Sequence, residues 1–244
     1  MGWKSAGDIV GSGRVFISHT HTDNALCEPL IDRLEAWSIP FWLDRSNGQV
    51  GQVLAQQIAD QIEAADVFVR LCTPTAASSA WMHRELGMFL AYERADERNR
   101  TGRQRTLIPV CFAGYEPDVL ERARLYVDAT SGPPAAWLDG VRKALGIGWM
   151  TFDHDDYGYL WWIDQYPRGY MVNAAMGADR RPRLDSMKLH RTRCGHFVGA
   201  VASGGYTGRG FIKICSESTT ELDRWAAETV GATAPLVRCT TCVP

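Results

Sequence analysis

Short apolar runs alternate with helical periodicities along the first 147 residues, and this alternation restricts the fold more than any other feature of the chain. R-V-F-I-S (14–18) is an apolar run followed by polar turn formers, the pattern of a buried strand. Leu26, Leu30, Ile31, Leu34 and Trp37 then recur at helical spacing, with Asp23 or Asn24 placed to cap the helix. P-F-W-L-D (40–44) predicts a second strand and R-S-N-G-Q-V-G (45–51) a polar loop. Val53, Ile58 and Ile62, with alanines between them, predict a second helix. Three further strands are expected at 66–72, 106–112 and 123–128. A helix containing Trp81 and Glu85 follows the third strand, and Trp137–Leu145 closes the series with Gly146 as its stop.

Strands alternating with helical stretches of this length predict a parallel sheet covered on both faces. Binding sites in such folds gather at the carboxyl ends of the strands. Three segments hold that position here, His19–Asn24, Asp44–Gly51 and Thr73–Glu85, and they are expected to meet on one rim. Trp81 and Glu85, four residues apart, share one helix face within the third.

Composition narrows the classes of function. With 45% hydrophobic and 22% charged residues, the 244-residue chain has the balance of a globular protein of one or two domains. A formal net charge of −2 gives no expectation of nucleic-acid binding. No apolar run approaches the roughly 20 residues of a membrane helix, and the N-terminal M-G-W-K-S-A-G-D lacks the apolar core of a signal peptide. Seven cysteines, with Cys27, Cys72 and Cys111 in apolar contexts, predict reduced thiols and a cytoplasmic location.

Three motifs carry a family resemblance. V-F-I-S-H-T-H-T-D (15–23) resembles box 1 of the TIR family, with His19 where tyrosine is common and Thr20 where serine is common. F-W-L-D-R-S-N-G-Q-V-G (41–51) resembles its second strand and BB loop, and W-M-H-R-E-L (81–86) resembles the W-x-x-x-E signature of TIR domains that hydrolyse NAD. The resemblance runs from 14 to 147 and implies a flavodoxin-like α/β fold around a five-stranded parallel sheet. It also implies NAD+ glycohydrolase or ADP-ribosyl cyclase activity of the prokaryotic type, in an anti-phage or stress pathway. Activity of this type is often completed by self-association through the BB loop. The competing implication is a non-catalytic interaction module that uses the same loop.

Cleaving NAD+ asks little of a protein. Nicotinamide is a cationic leaving group that needs no general acid, and positive charge develops on the ribose as in other glycosidic cleavages. One carboxylate beside the ribose can stabilise that charge. The resemblance gives this role to Glu85 and makes Trp81 a stacking partner for a base or the pyridinium; the spacing by itself only permits it. Phe16, Ser18 and Asp44 are the further substrate-binding candidates, and His83 is expected to face solvent. No G-x-G-x-x-G follows the first strand, so a Rossmann pyrophosphate cradle is not indicated. No cofactor is expected, NAD+ being the substrate.

Residues 151–244 resemble no family and read as a small α+β domain that senses a trigger, binds a partner or drives assembly. The aromatic and acidic stretch after Trp149 reads as a packed linker or a domain start. Strands are expected at 169–175, 185–191, 197–202 and 211–216, followed by a helix opened by a Ser218/Glu221 capping box. His190, Cys194, Cys239 and Cys242 are four ligands of the right kinds for zinc, but only Cys239 and Cys242 form a tight pair, so ordinary thiols are the preferred reading, zinc is the alternative and no metal is assigned. Arg180, Arg181, Arg183, Lys188, Arg191 and Arg193 form a basic cluster, read as a solvated face or a phosphate-binding surface.

Overall fold

The computed structural model describes residues 14–43, 52–124, 126–197, 205–208 and 210–242. Asp44 and the loop that follows it, to Gly51, lie outside the described residues. Two compact units divide the chain between Gly132 and Pro133. The division falls before the expected domain end at 147, so the helix Pro134–Ala144 is grouped with the second unit.

In the first unit five strands form one parallel sheet: β1 Val15–Ser18, β2 Phe41–Leu43, β3 Val67–Cys72, β4 Thr106–Phe112 and β5 Val127–Ala129. Their spatial order is β2-β1-β3-β4-β5. The chain leaves β1 toward one edge and returns on the other side of β1 to lay down β3. That makes the gap between the carboxyl ends of β1 and β3 the topological switch point, where ligands bind in doubly wound sheets. Helices α1 Asn24–Ala36, α2 Gln52–Ala64, α3 Pro74–Ala77, α4 Ala80–Asn99 and α5 Val119–Ala123 make the connections.

Every residue of β1 and β3 is buried, as expected of central parallel strands covered on both faces. Phe16 and Phe68 are register partners on neighbouring strands and stack with ring centroids 5.2 Å apart. Trp42 stacks on the other side of Phe16 and Phe89 lies against Phe68, continuing the aromatic layer. Ile58 and Ile62 of α2, with Leu86, Phe89 and Leu90 of α4, complete this core. Because side chains alternate along a strand, Ser18 faces the same side as Phe16 and therefore meets α4.

The fifth strand begins later than expected. Ala123, anticipated as its first residue, instead ends α5, which Asp118 and Glu121 open with a reciprocal capping box.

The second unit is built on an antiparallel sheet of order β6-β9-β7-β8: β6 Met150–Phe152, β7 Tyr170–Ala175, β8 Lys188–Arg191 and β9 Phe211–Ser216. Helices α6 Pro134–Ala144, α7 Asp156–Gln165 and α8 Thr219–Val230 accompany it. Gly146, at φ +72°, ends α6 in the left-handed region as expected. The aromatic stretch after Trp149 is β6 and α7, and it buries Phe152, Tyr159 and Trp162.

Two expectations shift, and a third falls mostly outside the described residues. The strand anticipated at 185–191 starts at Lys188, after a 3-10 turn at Leu184–Ser186. Of the strand expected at 197–202, only Phe197 is described, and it lies in a turn. The Ser218 side chain makes no capping bond to α8; Glu221 pairs with Arg224 instead, and the Ser218 N–H donates to Ser216 Oγ.

Candidate active site

Ser79 caps α4 by accepting a hydrogen bond from the Met82 N–H, which fixes where the helix starts and hence which face Trp81 and Glu85 share. Glu85 lies in the second turn, not at the helix end, so its position is not explained by the helix dipole. The same face carries Leu86 and Phe89 into the core, and Glu85 is drawn in with them to 2% exposure.

Both carboxylate oxygens of Glu85 are engaged. Ser18 Oγ donates to Oε2 at 2.6 Å, and Trp81 Nε1 donates to Oε1 at 2.8 Å. Ser18 ends β1 and is itself 1% exposed. A buried carboxyl without partners would be costly, so these donors are what makes its position tolerable. The three side chains therefore meet at the carboxyl end of β1, the location expected for a site.

The other sequence candidates divide. Trp81 is half-buried against the core cluster and points its ring nitrogen at Glu85. Phe16 is fully buried within the aromatic stack, where it packs the core beneath Ser18. His83 is exposed. Asp44, outside the described residues, is not placed.

Further polar groups gather on this rim. Asp23 accepts hydrogen bonds from the hydroxyls of Thr20 at 2.6 Å, Thr73 at 2.6 Å and Thr75 at 2.9 Å, tying the loop after β1 to the loop after β3. Burial pushes the Asp23 carboxyl up, but the three hydroxyls, with help from His19, outweigh it and hold it below the ordinary value. His19 Nε2 lies 2.8 Å from Asn24 Oδ1, and its buried Nδ1 has no hydrogen-bond partner among the described residues.

Arg70 is the residue that sequence reading missed. It is the register partner of Ser18 on β3 and is 1% exposed. Its guanidinium pairs with the fully buried Glu121 at 2.5 Å, and Tyr115 Oη also donates to Glu121 at 2.6 Å. Arg70 Nε and one terminal nitrogen have no hydrogen-bond partner among the described residues. The signal was present in D-V-F-V-R-L-C: an arginine inside an otherwise apolar central strand has to be buried and has to be paired.

A family model described as the TIR domain matches residues 15–145. Among solved structures, the CMP N-glycosidase BcmB of Clostridium botulinum is similar at 16% identity and a TM-score of 0.40, covering 53% of this chain and 98% of that one. The TIR domain of the Toll-related receptor TRR-2 from Hydra magnipapillata is similar at 18% identity and a TM-score of 0.41, covering 53% of this chain and 96% of that one. No curated protein matches the chain by sequence. No helix among the described residues is long and apolar enough to cross a membrane.

Proposed function

The chain belongs to the TIR domain family, and from that premise we propose that its first unit is an NAD+ glycohydrolase in which Glu85 is the catalytic carboxylate. One observation carries the reading: Glu85, in the family's Trp-x-x-x-Glu arrangement, is held by Ser18 and Trp81 at the β1–β3 switch point of the sheet.

The reaction breaks the bond between ribose C1′ and the nicotinamide nitrogen. The bonding electrons leave with nicotinamide and neutralise its charge, while positive charge spreads over C1′ and the ring oxygen. Glu85 stabilises that charge, and water then attacks C1′ and releases a proton. A ring closure in which an adenine nitrogen attacks instead gives the cyclic product. Hydroxyl groups of the bound ribose are donors of the same kind as Ser18 and Trp81. They can replace one of them on the carboxylate without leaving an oxygen unsatisfied. Self-association of the TIR unit belongs to this reading as the step that completes the site, with the second unit answering to a trigger or partner.

The burial of Glu85 favours a second reading, in which the Ser18–Glu85–Trp81 set is a structural clasp and the domain is an interaction module. Nicotinamide release by concentrated protein, followed chromatographically for wild type, Glu85→Gln and Glu85→Ala, separates the two. Release by wild type that both variants abolish supports the enzyme. No release from assembled wild-type protein sinks it, and full activity in both variants removes Glu85 from the mechanism.

A further inference from the structure

In the second unit, far apart in sequence, five metal-ligating side chains converge. His190 is on β8, Cys194 and His196 are in the turns that follow it, and Cys239 and Cys242 are in the C-terminal tail. Donor atoms of His190, Cys194, His196 and Cys239 all lie within 4.8 Å of one another. The backbone builds this arrangement deliberately. Two successive tight turns, Cys194 N–H to Arg191 O at 3.0 Å and Phe197 N–H to Cys194 O at 2.9 Å, fold the chain back over the end of β8. The tail runs alongside the same strand through Leu189 N–H to Val237 O and Cys239 N–H to Leu189 O, each 2.9 Å.

The two spacings that His196 makes are those of a coordination shell. With Zn–S of about 2.3 Å and Zn–N of about 2.0–2.1 Å, a sulfur and a nitrogen at the tetrahedral angle lie about 3.6 Å apart. His196 Nδ1 is 3.5 Å from Cys194 Sγ and 3.6 Å from Cys239 Sγ, and His190 completes the set within 4.8 Å. Hydrogen bonding alone accounts poorly for His196, because one ring nitrogen offers either a single proton or a single lone pair to two sulfurs. His190, Cys194 and Cys239 are buried and His196 is exposed, so three donors are withdrawn from water and one side stays open for entry of an ion.

We infer that His190, Cys194, His196 and Cys239 form a structural zinc site that fastens the C-terminal tail to β8. Two sulfurs and two nitrogens within 4.8 Å of one another, with His196 at tetrahedral edge distance from both sulfurs, are the donor set typical of structural zinc. Four protein donors fill the tetrahedron and leave no open position for a reacting water, which makes the role structural. Cys242 lies just outside this set. Its sulfur accepts the Arg191 backbone N–H at 3.4 Å, and Arg191 Nε donates to its carbonyl at 3.0 Å, an arrangement that holds the last turn against the site.

The test uses the full-length chain, purified under reducing conditions on a support that carries no metal. Elemental analysis is expected to find about one zinc per chain, and cobalt exchanged for it to show tetrahedral and thiolate charge-transfer absorption. Cys239→Ser and His196→Ala lose most of the zinc, whereas His83→Ala, an exposed histidine in the other unit, keeps it. His196 is exposed, so its substitution tests the metal with least disturbance of packing. Removing zinc with a strong chelator lowers the thermal midpoint of wild type by roughly 5 °C or more, and adding it back restores the midpoint. A wild-type chain with less than about a tenth of an equivalent of zinc, and no cobalt spectrum, overturns the proposal.

Discussion

Ser18 and Glu85, 67 residues apart in sequence, are joined by a hydrogen bond of 2.6 Å between the last residue of β1 and the second turn of α4. The bond fastens the loop end of a central strand to the helix that covers it, at the point where the sheet reverses its direction of growth. Ser18→Ala removes that donor inside the protein and is expected to destabilise the first unit by about 1–3 kcal/mol. Urea unfolding monitored by tryptophan fluorescence reads the change directly.

Glu85→Gln separates chemistry from packing. The amide is nearly isosteric, its oxygen still accepts from Trp81 Nε1, and the Ser18 hydroxyl can turn to accept from the amide nitrogen. Stability should change by no more than about 1 kcal/mol. Nicotinamide release should fall by at least about 100-fold, the scale for losing a preorganised electrostatic group. Equal losses in stability and activity would point to the structural clasp.

Trp81→Phe keeps a ring against the core but deletes the N–H that meets Glu85. A loss of about 1 kcal/mol is expected in the same unfolding measurement. Combined with Ser18→Ala, the two losses should not add, because both bonds end on one carboxyl group and each substitution changes what the other can do.

Arg70→Met should be among the most damaging single changes in the first unit. It leaves Glu121 buried without its cation, and breaking a buried ion pair from one side costs about 3–5 kcal/mol. Arg70→Met combined with Glu121→Gln should recover part of that loss. A double variant as unstable as Arg70→Met alone contradicts the pairing argument.

Asp23 gives the rim a dependence on pH. A carboxyl whose folded value is depressed contributes stability that is present above its unfolded value of about 3.9 and disappears as pH falls through the lower folded value. The gap in stability between wild type and Asp23→Asn should therefore be widest above about pH 4 and shrink on further acidification. Denaturant midpoints measured from neutral pH down to about pH 3 check this, and a gap that stays constant excludes the mechanism.

Much of this molecule was legible before any coordinate. Apolar runs at 14–18, 66–72 and 106–112 are central strands because a strand covered on both faces is apolar except where a buried polar side chain, such as Ser18 or Arg70, finds a partner. Trp81 and Glu85 share a face because helical spacing puts them there. Elements too short to show a period were missed: α3 and α5 contain four and five residues, less than two turns. His196 was passed over for a related reason, since Cys194-x-His196 matches no tight ligand pair and joins the others only when the turns after β8 fold back.

The order of the strongly periodic elements, the side each one buries and the helical neighbours of Glu85 were thus set within single segments, where periodicity speaks. The meeting of Ser18 with Glu85, of Arg70 with Glu121, and of the tail cysteines with His190 and His196 was decided only by tertiary structure. Each of these joins residues dozens of positions apart on different elements. A hydrophobic pattern states that a face must be covered; which polar group arrives on the covering element is fixed by how the elements pack.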